Sequence, residues 1–131
     1  MIGSDGLPND PRPHPRLWGA FPRVLGHYSR DRGLFPLETA IRKMTGLSAD
    51  RFRLAGRGYV REGRAADLVL FDPTTIADAA TFEEPVQAAR GIVGVWVNGM
   101  MSIDRGAATG DRAGSFLPRG SHPSFLENTH G

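Results

Sequence analysis

The chain has 131 residues, 40% hydrophobic and 23% charged, which is enough for one ordinary domain, too few for two, and too apolar for wholesale disorder. The formal charge is only +2, Lys43 is the sole lysine and the arginines are scattered without interleaved aromatics, so the clustered footprint needed to track phosphates is missing and nucleic acid is not an expected partner. With no cysteine, disulfides and thiolate metal sites are excluded within these residues; with no apolar run near the roughly eighteen residues of a span and no basic-then-apolar leader, neither membrane nor signal peptide is expected, and the composition fits a cytoplasmic protein.

The first stretch, Met1 to Arg16, carries most of the chemistry. Asp5 lies between Gly3 and Gly6, just after the apolar Met1 and Ile2, as a carboxylate does at the exit of a buried strand in an α/β enzyme. A Ser-Asp-Gly triplet is equally a turn or an N-cap aspartate. The strand itself is nearly absent, so the chain is expected to be the C-terminal piece of a larger protein. A Pro-rich arm follows and ends in His14 and Arg16.

Phe21, Val24, Leu25 and Tyr28 then recur at helical spacing, with Pro22 where a first turn tolerates it and Gly33 beyond the end, which predicts a helix over about 20–31. Pro36, then Leu37, Ala40, Ile41 and Met44 on one face and Gly46 as a stop, predict a second helix. Ser48 is placed to cap a short third helix running to about Leu54. From Tyr59 the pattern becomes strand-like. Gly58–Gly63 reads as a short extended segment and turn, and Ala66–Pro73 as a buried strand stopped by proline, with Asp67 as a turn former ahead of it. Ile92–Asn98 and Met100–Ile103 read as a hairpin, because Asn98-Gly99 supplies the positive φ angles of a type I′ turn. Residues 74–91 read as an irregular loop, 115–117 as a short strand and 120–131 as a tail.

Two motifs in this latter half, Gly58-Tyr-Val-Arg-Glu-Gly63-Arg-Ala-Ala-Asp67-Leu-Val-Leu-Phe-Asp72 and Val95-Trp-Val-Asn-Gly99, resemble the returning β-sandwich segment of the amidohydrolase superfamily. A narrower resemblance lies in Gly3-Ser-Asp-Gly-Leu-Pro8, His14-Pro-Arg16-Leu-Trp-Gly19, Phe21-Pro-Arg-Val-Leu-Gly26 and Lys43-Met-Thr-Gly46, which are similar to the N-acyl-D-amino-acid deacylases, or D-aminoacylases. The resemblance covers residues 1 to about 119. It implies an α+β fold: two to three helices that are the last elements of a metal-dependent (β/α)8 barrel (1–56), then the C-terminal share of a small β-sandwich (57–119). The family's N-terminal His-x-His pair, metal-binding cysteine and later histidine ligands have no counterpart in this chain, so the resemblance implies zinc in a full-length parent and none bound by these residues alone.

The resemblance further implies a hydrolase acting on small N-acyl-D-amino acids. Asp5 would be its general acid/base and, secondarily, a metal ligand; Arg16 would bind the substrate carboxylate, with Ser4 and His14 beside the substrate. The residue chemistry is compatible. A carboxylate can shuttle a proton during amide hydrolysis, and a guanidinium fork suits a carboxylate. Each residue also has a plainer reading: Arg16 as a loop arginine paired with Asp10 or solvent, His14 as a solvated loop histidine, and Ser4 as a local backbone cap. Two other functions stand beside this one: a dihydropyrimidinase-like amidohydrolase, whose ring substrates lack a free α-carboxylate, and a non-catalytic interaction domain. Few strands with open edges suggest that the chain needs partners, either the missing N-terminal part of the same protein or another copy. Alone, the chain is expected to be inactive.

Overall fold

Proline geometry decides where the first helix begins. In the computed structural model, which describes residues 1–7 and 9–118, Pro15 has φ −50° and ψ −25°, already in the helical well, and helix α1 (Arg16–Arg23) starts directly after it. The sequence pattern predicts a later start, with Pro22 in the first turn; Pro22 instead lies inside the helix. A proline there offers no N–H to the Trp18 carbonyl and crowds it, and the turns that follow widen into a π-helical segment, Val24–Asp31. The Arg32 amide closes that segment on the His27 carbonyl at 2.9 Å. Gly33, at φ 59°, ends it as the sequence predicts.

Helix α2 (Leu37–Met44) forms as read, with Glu38 in its first turn and Arg42 and Lys43 in its last, each charge on the favourable end of the dipole. Gly46 does not stop the helical region. Thr45, at φ −123° and ψ −93°, makes the break, and α3 (Gly46–Phe52) resumes at once. The glycine is needed for close approach, because a Cβ on Gly46 would sit 2.7 Å from the Tyr59 ring. Ser48 is not a cap for α3; its hydroxyl donates to the Lys43 carbonyl at 3.4 Å.

The second half is one antiparallel sheet in the order β1-β2-β3-β4, comprising β1 (Leu68–Phe71), β2 (Ile92–Val97), β3 (Met100–Asp104) and β4 (Ala107–Ala108). The hairpin between β2 and β3 turns at Asn98 (φ 50°) and Gly99 (φ 83°), as predicted. A second turn of the same kind, at Arg105 (φ 46°) and Gly106 (φ 86°), adds β4, which the sequence reading lacks because arginine is not a left-handed residue by preference. The strand expected at 115–117 does not form, and 58–63 has the expected turn, at Glu62 and Gly63, but bends at Gly58 and Tyr59 and forms no strand before it. The tail at 120–131 lies outside the described residues. β1 is apolar throughout and largely exposed, and it forms an edge of the sheet.

The two halves meet through the stretch that reads as a loop. Ile76, 1% exposed, joins Val24, Leu25 and Ala40 in the core, with Ile2, Phe35, Ile41, Phe71 and Ile92 packed around them. Burying one such side chain stabilises by about 1.5–3 kcal/mol. Gly26 lets the Ile76 backbone approach, since a Cβ there would lie 2.3 Å from the Ile76 carbonyl oxygen. The same oxygen accepts from Arg30 Nη1 at 2.8 Å. Asp67 supplies a second tie, a long-range one rather than a local turn: Oδ1 accepts from the Asn98 amide at 2.8 Å and Oδ2 pairs with Arg57.

Burial pushes the Asp67 carboxyl up, but the Asn98 amide and the Arg57 guanidinium outweigh it and hold it below the ordinary carboxylate range. The stability it contributes is therefore present above the unfolded value near about 4 and is lost as pH falls through the lower folded value. Asp67→Asn is expected to lower the urea midpoint at neutral pH and to flatten the acid side of the stability–pH curve between pH 7 and 3. Ile76→Ala should cost about 2–5 kcal/mol in the same urea titration.

Candidate active site

The arm is pinned at both ends before any functional group is considered. The Ile2 amide donates to the Lys43 carbonyl at 3.2 Å, and the Ile2 side chain packs on the core, so the start of the chain lies along the end of α2 without forming a strand. Gly6 lies on Leu17 of α1, where a Cβ would come within 2.5 Å of the leucine side chain. Leu17 thus lies beneath the arm, while Trp18 and Phe21 are about half exposed.

Between these anchors Asp5 adopts φ 51°, a left-handed conformation uncommon for a residue with a side chain. Its carboxylate pairs with Arg16: Asp5 Oδ2 to Arg16 Nη2 is 2.9 Å, and Arg16 Nε donates to the Asp5 carbonyl at 3.0 Å. Arg16 is thus paired with Asp5 rather than with Asp10. It is the first residue of α1, and its backbone amide donates to His14 Nδ1 at 3.0 Å. That bond occupies the Nδ1 lone pair and places the imidazole proton on Nε2. The His14 ring meets the edge of Phe82 at 5.0 Å between centroids. Ser4 Oγ accepts from the Gly6 amide at 3.3 Å, a local turn bond that leaves Asp5 untouched.

Arg16 also lines a cleft of about 410 Å³ between α1 and residues 78–83. Its other walls include His14, Phe82, and the Arg23–Asp78 pair at 3.1 Å. Hydrogen bonding to Tyr28, then to Asp78, raises the Arg23 pKa, so this arginine stays charged throughout the working range. The structure therefore brings Asp5, Arg16 and His14 together and sets Ser4 one residue away. Arg23, Asp78 and Phe82 were not foreseen, because their approach depends on the 74–91 stretch folding back over α1. His27 is half-buried against Tyr28.

Among the described residues no group of three or more His, Cys, Asp or Glu is placed to hold a metal ion. Asp5 is a lone carboxylate, 85% exposed, and these residues do not by themselves fit a zinc ion. Among the described residues no helix is long and apolar enough to cross a membrane.

Residues 1–102 match the family model described as the Amidohydrolase family. The chain belongs to the amidohydrolase family. Within it, the chain is 66% identical over 119 residues to a D-aminoacylase from Alcaligenes xylosoxydans xylosoxydans, across 91% of this chain and 25% of that protein. Its fold matches a crystal structure of a D-aminoacylase with a TM-score of 0.89 and 65% identity, over 91% of this chain and 25% of that one. It also matches an N-acyl-D-glutamate deacylase from Bordetella bronchiseptica, complexed with zinc and a phosphonate mimic of the tetrahedral intermediate, with a TM-score of 0.84 and 53% identity over 92% of this chain and 25% of that one. The resemblance to N-acyl-D-amino-acid deacylases is borne out, and the chain spans about a quarter of the length of the amidohydrolases it matches.

The Asp5–Arg16 pair is exposed, so its contribution to folding is small. Arg16→Met is expected to change unfolding stability by less than about 1 kcal/mol in a thermal or urea melt. A larger loss would make Arg16 a structural residue.

Proposed function

We propose that these residues serve a longer amidohydrolase that removes the acyl group from N-acyl-D-amino acids, with Asp5 as its general acid/base and Arg16 as the group that binds the substrate α-carboxylate. In the same reading residues 1–56 are the closing elements of a (β/α)8 barrel and 57–119 its share of a β-sandwich. The observation that carries the proposal is the juxtaposition of Asp5 and Arg16, a proton carrier and a carboxylate binder 2.9 Å apart, on a chain that matches D-aminoacylase at 66% identity.

The chemistry follows from what each group can do. Asp5 as a carboxylate takes a proton from the water that attacks the amide carbon. As the C–N bond breaks it returns that proton to the leaving nitrogen, so the products are a carboxylic acid and a D-amino acid, and the aspartate ends unchanged. Among the described residues Arg16 has N–H groups free beyond those it gives Asp5, and its side chain is 43% exposed, open to a substrate carboxylate approaching from the cleft. His14 forms the adjoining wall, and Ser4 precedes Asp5 in the arm. The N-acyl-D-glutamate deacylase structure is complexed with zinc, and a zinc ion held by the parent protein would supply Lewis-acid chemistry. In this proposal its ligands belong to the rest of the protein, because the described residues do not form a metal site.

The test is a chimera in which this chain replaces the matching segment of the Alcaligenes D-aminoacylase. It should hydrolyse N-acetyl-D-methionine, while the 131-residue chain alone should not. Asp5→Asn in the chimera should lower kcat by about 10²–10⁴-fold with KM little changed. Arg16→Met should raise KM for acyl amino acids. An Asp5→Asn chimera that keeps its kcat contradicts the proposal.

A further inference from the structure

Resting on that reading, we infer that Arg16 has a second role: it is the positioning residue that holds Asp5 in its working orientation, and it does so with the edge of the guanidinium that the substrate does not use. Asp5 needs such a hold. Its φ of 51° is in the left-handed region, uncommon for residues with a Cβ although aspartate enters it more readily than most, so a partner that bonds both backbone and side chain fixes the choice. The polar groups on either side are tied to each other, Ser4 Oγ to the Gly6 amide, and do not reach the carboxylate. Among the described residues, Arg16 is the group that binds both the Asp5 backbone and its side chain.

The geometry of that hold is specific. A guanidinium presents two hydrogen-bonding edges to carboxyl and carbonyl oxygens, one formed by Nε and one Nη, the other by the two Nη atoms. Arg16 spends Nε on the Asp5 carbonyl at 3.0 Å and Nη2 on Asp5 Oδ2 at 2.9 Å, which is the first edge in full. Among the described residues the second edge keeps a free pair of N–H groups, suited to a bidentate carboxylate. Arg16 is itself held, since it opens α1 and its amide is bonded to His14 Nδ1. One rigid plate therefore sets the spacing between the proton carrier and the substrate carboxylate. Lysine, a point charge without a fork, can satisfy the substrate but not both Asp5 contacts.

The experiment uses the chimera and two substrates: an N-acyl-D-amino acid, and a chromogenic acyl anilide that lacks the α-carboxylate. If Arg16 positions Asp5, Arg16→Met lowers kcat/KM on the anilide as well, by about a hundredfold, the scale expected for a misplaced catalytic group. Arg16→Lys should recover part of the KM for the acyl amino acid while leaving kcat low on both substrates. Added guanidinium ion should restore part of the kcat of Arg16→Ala. Unchanged melting temperatures for the three variants would set these losses apart from unfolding. The inference is overturned if Arg16→Met hydrolyses the anilide as fast as the parent chimera and its defect is confined to KM for the acyl amino acid. That outcome leaves the proposed function standing, because the proposed function depends on Asp5→Asn and not on the anilide.

Discussion

The contact on which the docking of the helical half and the sheet turns is the segment around Ile76 lying against Gly26. Without a side chain at Gly26, the Ile76 backbone comes close enough for its carbonyl to take a hydrogen bond from Arg30 while its side chain fills the core. The site inherits its shape from that contact. Two residues further on, Asp78 meets Arg23, and the turn beyond brings Phe82 against His14, so the cleft beside Arg16 exists because the 74–91 segment is docked at Ile76. Bulk at Gly26 would lift this segment, and with it one wall of the cleft.

The second organising interaction is local and electrostatic. Arg16 opens α1, and from there its guanidinium reaches back to Asp5. Both side chains stay partly exposed, so the pair contributes little to folding and keeps faces open to a substrate. An exposed, weakly stabilising pair with both partners in fixed places suits binding and proton transfer better than it suits holding a fold together.

Much of this was legible in the sequence where the information is local. The Asn98-Gly99 turn, helix α2 and the stop at Gly33 follow from backbone preferences within a few residues. The family was legible because its motifs are short and contiguous. What was not legible depends on distance or on an exception. Ile76 looked like one apolar residue in a loop, since nothing nearby in sequence reveals that Gly26 makes room for it. The start of α1 at Arg16 and the π-helical turns after Pro22 break the usual reading of proline as a first-turn residue. β4 depends on Arg105 taking a left-handed conformation. Within the site, Asp5 and Arg16 were legible as chemistry, but their pairing, and the Arg23–Asp78 wall, required the fold.

The account rests on Asp5 and Arg16 acting on one substrate from one plate. The most direct measurement is a crystal structure of the chimera with a phosphonate inhibitor that carries an α-carboxylate. Arg16 is expected to bond the inhibitor carboxylate through its two Nη atoms while Nε stays on the Asp5 carbonyl, with the Asp5 carboxylate within hydrogen-bond reach of the phosphonate oxygens. An inhibitor carboxylate held elsewhere, with Asp5 turned away from the phosphonate, would contradict it.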